Sequence, residues 1–223
     1  MRIVAGTAGG IHLVRPPEHV RPTMDRVRGA IFSSLGEKVV DANVLDLFSG
    51  SGGLGIEALS RGAARATFVD SDSKCGQIIR KNLALCRVTG VVQNMDVFKF
   101  AELYAEENQF DLIFADPPFT KKPGDFDFAT ALLTSPHVKK ALRPDGIFVL
   151  EKLYSSPRPA DFGGWEVRRE NATANARFSS SPRARKKTNP QSAIRNPQFK
   201  TGWFVSSTIF SSPSSCCSCC RVF

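Results

Sequence analysis

The sequence predicts an α/β protein built on a doubly wound, mostly parallel sheet, and three observations carry that prediction. Five short apolar runs alternate with amphipathic helical patterns, the order expected when parallel strands are joined by helical crossovers. Within the runs both alternating positions are apolar, as in strands covered by helices on both faces. Acidic residues sit at or beside the ends of the runs, at Asp46, Asp70, Asp96, Asp116 and Glu151, on the sheet edge where such folds bind ligands. With 223 residues and 42% hydrophobic content, the chain suffices for one domain with a full core. It divides into an N-terminal hairpin arm (1–20), a main domain (21–170) and a tail (171–223).

In the arm, Arg2 to Ala5 and Ile11 to Val14 are β-prone runs separated by Gly6, Gly9 and Gly10. This predicts a small hairpin that carries Arg2, His12 and Arg15 on a flexible frame. Next comes Arg21-Pro22-Thr23-Met24-Asp25-Arg26-Val27-Arg28, where Thr23 suits a helix cap and Asp25 its first turn. Val27, Ala30, Ile31 and Leu35 make the apolar stripe of that helix. Arg21, Arg26 and Arg28 are candidates to meet a phosphate or carboxylate; the plainer alternative is a solvated helix face.

Val44 to Phe48 is the first strand and runs into Ser49-Gly50-Ser51-Gly52-Gly53-Leu54-Gly55. Glycines there let the backbone pass close to a ligand and open a helix from Gly53 to Arg61. Ala66 to Val69 is the second strand, ending at Asp70, and Lys74 to Cys86 is a helix. Val91 to Gln93 is the third strand, closed by Asn94 and Asp96, with a helix over Val97 to Tyr104. Phe110 to Ala115 is the fourth, followed at once by Asp116-Pro117-Pro118-Phe119. A helix over Ala129 to Leu142 stops at Arg143-Pro144-Asp145-Gly146, Ile147 to Leu150 is the fifth strand, and Trp165 to Arg168 begins a sixth.

Gly50, Gly52 and Gly55 satisfy GxGxxG, and with Asp70 they would suit a dinucleotide-dependent oxidoreductase. Asp46 turns the reading elsewhere. A carboxylate at the end of the first strand repels a pyrophosphate but holds the ammonium of S-adenosylmethionine. Asp70 then takes the ribose hydroxyls and Asp96 the adenine amine. With a methyl donor in place, Asp116 and the Pro117 carbonyl accept the two N–H bonds of a nucleobase amine and aim its lone pair at the methyl group, while Phe119 stacks on the base. This is catalysis by positioning and electrostatics.

Charge and cysteines add less. The net charge is +9, but from Asn171 onward eight residues are Lys or Arg and none is Asp or Glu, leaving 22 basic against 21 acidic residues before it. The basic excess therefore belongs to the tail. No apolar run reaches the roughly 18 residues of a membrane span, and a soluble, cytoplasmic protein is expected. Cys75 and Cys86 are expected to be buried thiols, and the cluster Cys216-Cys217-Ser218-Cys219-Cys220, with no histidine near it, is not read as a metal site.

Several stretches together resemble the bacterial 16S ribosomal RNA guanine-N2 methyltransferases of the guanine(966) type. They are Arg2-Ile3-Val4-Ala5-Gly6, Arg21-Pro22-Thr23 with Asp25-Arg26-Val27-Arg28, Asp46-Leu47-Phe48-Ser49-Gly50-Ser51-Gly52, Gly55-Ile56-Glu57-Ala58-Leu59-Ser60-Arg61-Gly62-Ala63, and Asp116-Pro117-Pro118-Phe119. The resemblance implies a Rossmann-like class I methyltransferase sheet, S-adenosylmethionine as donor, and a guanine of 16S rRNA within a 30S particle or assembly intermediate, acted on by a monomer. It implies cofactor contacts from Thr23, Asp46, Phe48, Ser49, Gly50, Ser51, Gly52, Asp70, Ser71, Asp96, Val97 and Asp116. Catalysis would fall to Asp116, Pro117 and Phe119, and RNA contacts to Arg2, Arg15, Arg21, Arg26, Pro118 and Phe119. No metal is implied. The rivals are an adenine-N6 DNA methyltransferase using the same Asp-Pro-Pro-Phe chemistry, and a catalytically impaired RNA-binding or assembly protein.

Two departures stand out. Gly29 replaces the glutamate usual in that helix, at a cost in helix propensity. The tail lacks the family's closing strand; codons for Asn171 to Ser180 read two bases later allow Arg-Tyr-Gly-Lys-Arg-Ala-Phe-Leu-Phe, close to that strand, so a single-base frameshift near Glu170 is expected. The rival is a genuine basic, disordered RNA-binding tail. Either way a disrupted last strand is expected, with the edge after Ile147 to Leu150 bared.

Overall fold

A computed structural model of the chain describes residues 1–20, 23–118, 124–153, 165–173 and 201–208. Arg21 and Phe119, both assigned roles from sequence, lie outside the described residues. Helix α1 (Asp25–Leu35) is followed by strand β1 (Asn43–Leu47), α2 (Gly53–Ser60), β2 (Arg65–Val69), α3 (Ser73–Cys86), β3 (Val91–Gln93), α4 (Val97–Leu103) and β4 (Phe110–Ala115). Then come α5 (Phe128–Thr134), α6 (Pro136–Ala141), β5 (Leu142–Leu153), β6 (Trp165–Thr173) and β7 (Thr201–Thr208).

The strands form one sheet in the order β3-β2-β1-β4-β5-β7-β6. The first five are parallel, and β7 runs antiparallel to both of its neighbours. Strand order reverses at β1 and β4, which pair with Leu47 opposite Ala115. The residues that follow, Phe48 and Asp116, therefore emerge side by side at the carboxyl edge, where open α/β sheets bind ligands.

Alternation along the strands splits the core in two. Val44, Phe68, Leu112 and Phe114 face α1 and α2 with Ile31, Phe32 and Ile56. Leu45, Leu47, Ile113, Ala115 and Phe148 face the other way, with Phe100, Leu132 and Val138. Both faces are covered, as the apolar runs predicted, and each fully buried Leu, Ile or Phe contributes roughly 1.5–3 kcal/mol. Gly55 permits the contact of α2 with β2: a Cβ there would lie 2.3 Å from the Phe68 ring.

Several expected boundaries shift. Met24, not Thr23, is the N-cap of α1 and no side chain caps it, while Ala30 is exposed and Phe32 joins the buried face. The single helix expected over Ala129 to Leu142 is two, parted at Ser135, because the residue before Pro136 is driven to extended backbone. Ser135 caps the second helix by accepting a hydrogen bond from the Val138 amide, and Leu142 opens β5 instead of closing a helix.

The arm is the expected hairpin, but it is held down instead of free. It has one antiparallel bridge, Arg2 to His12, and its two runs are joined by backbone hydrogen bonds from the Ile3, Gly10 and Leu13 amides to the Ile11, Ile3 and Met1 carbonyls, while helices hold it to the domain. The amides of Val4 and Ala5 donate to the buried carboxylate of Glu57 at 2.7 and 3.0 Å. The Thr7 amide donates to the Ser60 carbonyl at 2.7 Å, and the Ser60 hydroxyl to the Ala5 carbonyl at 2.6 Å. Gly6 lets this happen: it has φ +86°, and a Cβ would sit 1.9 Å from the Ser60 oxygen. Asn82 of α3 accepts from the Val14 amide and donates to the Val14 carbonyl, and Ile3, Ala8 and Leu13 are buried.

The expected disruption of the last strand is also corrected. Residues 201–208 form β7 in the slot between β5 and β6, paired from Leu153–Thr201 to Ile147–Ser207 on one side and from Trp165–Thr208 to Thr173–Thr201 on the other. An open strand edge offers a row of N–H and C=O groups, and Thr-Gly-Trp-Phe-Val-Ser-Ser-Thr is rich in the β-branched and aromatic residues that strands favour. Residues 174–200 and 209–223, with the cysteine cluster and most of the sequence expected to be out of frame, lie outside the described residues. Cys75 and Cys86 are free and buried as expected, and burial, with Asp70 and Asp72 nearby, pushes the Cys75 thiol up to about 12.

Candidate active site

The turn after β1 is held in an unusual shape. Phe48 has φ 55°, a left-handed value that costs a bulky residue roughly 1–3 kcal/mol and is found where surroundings enforce it. Ser49 does the enforcing. Its hydroxyl accepts from the Val69 amide at 2.9 Å and donates to the Asp46 carbonyl, and its carbonyl accepts from Gly52 at 2.7 Å. The Gly50 amide donates to Asp70 Oδ2 at 2.8 Å, tying the loop to the end of β2. Asp70 Oδ1 accepts from the Asp72 amide at 2.9 Å. Each carboxylate oxygen has a second lone pair, so these bonds leave room for ribose hydroxyls.

Asp46 is only 2% exposed, and its Oδ2 accepts a 2.8 Å hydrogen bond from the Gly55 amide. Burial pushes its carboxyl well above the ordinary carboxylate range; the Gly55 N–H opposes the shift, and the charges of Asp116 and Asp70 add to it. Three acids thus act on one place, a setting that favours a bound cation.

A small cleft opens here. Asp46, Phe48, Ser49, Gly50 and Ser51 form one wall, Thr23 and Asp116 face them, and Met1, Pro16 and Val20 of the arm close one side. Seven residues of the expected cofactor set therefore share one cleft. Gly52 sits behind it as the N-cap of α2. Asp70, Ser71, Asp96 and Val97 lie beyond its lining, along the ends of β2 and β3: Asp96 caps α4 through Oδ1, which accepts from the Phe98 and Lys99 amides at 3.0 Å each, and Val97 is buried in the core. Asp116 stands at the end of β4, where its Oδ2 accepts a 2.6 Å hydrogen bond from the Thr23 hydroxyl. Pro117 is buried and Pro118 exposed.

The arginines separate. Arg2, Arg15 and Arg26 are exposed and accessible to a polyanion. Arg28 is not: it is 0% exposed, so neither an RNA phosphate nor solvent reaches it, and its position three residues after Asp25 was the signal, since i,i+3 places them together. The cleft-lining roles of Met1, Pro16 and Val20 were missed because nothing local in sequence marks contacts made across the fold. Also missed was a group of rings beside the cleft: Phe128 meets Phe48 edge-on at 5.4 Å and Phe126 at 4.8 Å, and Phe98 lies 6.5 Å from Phe128. Among the described residues no cluster of His, Cys, Asp and Glu is arranged to hold a metal, and no helix is long and apolar enough to cross a membrane.

A switch-point cleft lined by a glycine loop and strand-end carboxylates, on a sheet whose seventh strand inserts antiparallel, defines the Rossmann-like class I methyltransferase fold. The chain belongs to the family described as conserved hypothetical protein 95, whose pattern matches residues 1–180. It is similar to ribosomal RNA small subunit methyltransferase D of Escherichia coli strain K12, with 41% identity over 123 residues, 54% of this chain and 61% of that protein; the match thus spans less than two thirds of that relative's length. The protein of the same name from Haemophilus influenzae is 32% identical over 161 residues, 70% of this chain and 81% of its own. Among solved structures, that of Escherichia coli yhhF superposes with a TM-score of 0.66 at 28% identity, covering 94% of this chain and 98% of that one.

Proposed function

We propose that this protein transfers a methyl group from S-adenosylmethionine to the exocyclic N2 amine of a guanine in 16S rRNA. The observation that carries the reading is the buried Asp46 beside Asp116 across the β1–β4 switch point, at the head of the glycine loop. A carboxylate raised first by burial and further by two neighbouring acids is wrong for a pyrophosphate and suited to an ammonium, so the donor set fits this cofactor and disfavours a dinucleotide. The relatives named as rRNA methyltransferases support the acceptor class.

Bound in the cleft, the cofactor supplies a methyl group on a positively charged sulfur. The residues do the rest. Asp46 holds the ammonium, the Ser49 to Ser51 backbone follows the amino-acid portion, Asp70 takes the ribose and Asp96 the adenine amine. Asp116 and the Pro117 carbonyl accept the two N–H bonds of the guanine amine, which localises the nitrogen lone pair and aims it at the methyl carbon. Phe119 stacks on the base, and Arg2, Arg15, Arg21, Arg26 and Pro118 receive the RNA. The setting is a cytoplasmic monomer acting on a 30S particle or its precursor.

Tritiated S-adenosylmethionine offered with undermethylated 30S particles, naked 16S rRNA and DNA tests this, using wild type and Asp116→Ala. Label in guanine N2 of the particles that vanishes with the variant supports the proposal. Label in DNA adenine moves the activity to DNA, and no label in any acceptor leaves a binding protein.

A further inference from the structure

We infer that Arg28 is a positioning residue for the acceptor site, setting the carboxylate of Asp116 through Thr23. The inference rests on the reading of Asp116 as the acceptor of the base amine. The Arg28 guanidinium is fully buried. Its Nη1 donates to the Thr23 carbonyl at 2.7 Å, and its Nη2 donates to Asp25 Oδ1 at 2.9 Å and to the Arg2 carbonyl. One planar fork thus joins the arm, the residue ahead of α1 and the first turn of α1. Asp25 Oδ1 also accepts from the Arg2 amide at 3.3 Å, closing the ring of contacts.

The held carbonyl belongs to the residue whose hydroxyl reaches Asp116. Thr23 Oγ1 donates to Asp116 Oδ2 at 2.6 Å across 93 positions of sequence. A carboxylate turns about its side-chain bonds until something fixes its plane, and a short hydrogen bond to one oxygen does so. Thr23 has no helical hydrogen bond of its own to steady it, since α1 begins at Asp25 with Met24 as N-cap; the Arg28 bond supplies that restraint.

Arg28 also lies under the cofactor loop. Its Nη1 would be 3.6 Å from a Cβ at Gly53, and Gly53 lines the cleft. One buried guanidinium therefore references both the donor wall and the acceptor carboxylate to the same point. Stability alone is a poor account of it: Arg28 Nε is buried with no hydrogen-bond partner among the described residues, and an orphaned buried donor carries a penalty. A lysine at this site offers a point charge without the fork.

Four variants and one structure test the inference. Arg28→Lys and Thr23→Val should each lower kcat about 10- to 100-fold, the scale of losing one charge-assisted or positioning hydrogen bond. KM for RNA should stay within about threefold of wild type. The double variant should be no slower than the slower single one, because both break one chain of contacts. Thr23→Ser should rescue most of the activity that Thr23→Val loses, and in crystals of Arg28→Lys the Thr23 hydroxyl should lie out of reach of Asp116. Should Arg28→Lys fold poorly in a thermal melt, the contrast of Thr23→Val with Thr23→Ser decides. Unchanged kcat, losses confined to KM, additive effects, or an intact Thr23–Asp116 bond in Arg28→Lys crystals overturns it. If wild type methylates no acceptor, the proposed function fails, and the Arg28→Lys crystal structure alone decides this inference.

Discussion

The side chain of Asp46 accepts a 2.8 Å hydrogen bond from the amide of Gly55, so the carboxylate at the head of the cleft is bound to the helix that the glycine loop opens. The bond holds a buried acid in place without neutralising it. Asp46→Asn keeps an acceptor for Gly55 but loses the charge. The expected result is a loss of S-adenosylmethionine affinity of about 10- to 100-fold, the worth of a charge-assisted hydrogen bond, read by isothermal titration calorimetry. Unchanged affinity would remove Asp46 from the cofactor site.

The same residue predicts a pH dependence of the ligand-free protein. Its folded carboxyl is raised above the ordinary value of 3.8, so over that window the native state keeps a proton that the unfolded chain has released. Stability from this group is fully present below 3.8 and is lost as pH rises through the folded value. Urea unfolding from pH 4 upward should show wild type losing stability relative to Asp46→Asn, and added S-adenosylmethionine should oppose the loss. Parallel curves for the two proteins would contradict the shift.

Glu57 predicts how firmly the arm is attached. It accepts from Val4, Ala5 and Arg61 Nε, the last at 2.7 Å, and is itself buried. Glu57→Gln turns an NH2 toward one of these donors, and Glu57→Ala leaves all three unmet. We expect losses of about 1–3 kcal/mol for the former and 3–5 kcal/mol for the latter in denaturant titrations, with faster proteolysis within residues 1–20. An arm equally protected in both variants would show that its apolar contacts suffice.

Gly55→Ala tests the packing under the site. The new methyl would press on the Phe68 ring, which is rigid and fully buried, so a loss of about 1–3 kcal/mol is expected from overpacking. The displaced α2 should also weaken the Gly55–Asp46 bond, so cofactor affinity should fall together with the melting temperature. Were only the melting temperature to fall, the loop would be decoupled from the helix behind it.

Val205→Pro tests the strand that completes the sheet. Val205 pairs with Val149 on one side and Arg169 on the other, and proline there removes a ladder donor from an interior strand. The midpoint of thermal unfolding should drop by several degrees, with aggregation through the freed β5 edge. If the expected frameshift near Glu170 holds, a chain translated in the alternative frame from there onward should melt above both; equal melting would show that the present tail serves the sheet fully.

Much of this fold is legible in the sequence. β3 and β4 fall on the residues expected, and β1 and β2 within one residue of their predicted starts, because strands buried on both faces leave continuous apolar runs. Asp46, Ser49, Gly50, Ser51 and Asp116 were placed in one cleft because loop glycines and strand-end acids are local signals whose meeting place follows from parallel topology. The arm was misjudged for the opposite reason: its glycines read as freedom, whereas Gly6 is there for close contact with Ser60.

The sequence by itself determined the alternation of strands and helices, the edge at which ligands bind, and the acids that line it, since each depends on residues near one another in the chain. Only the tertiary structure decided the partners. It put Arg28 inside the protein on the carbonyl of Thr23, and Thr23 on Asp116 instead of on a helix end. It also set residues 201–208 into the gap beside β5. Such choices turn on which buried donor meets which acceptor across many tens of residues, and that is settled by packing, because an unmet polar group costs the same wherever its partner lies in the chain.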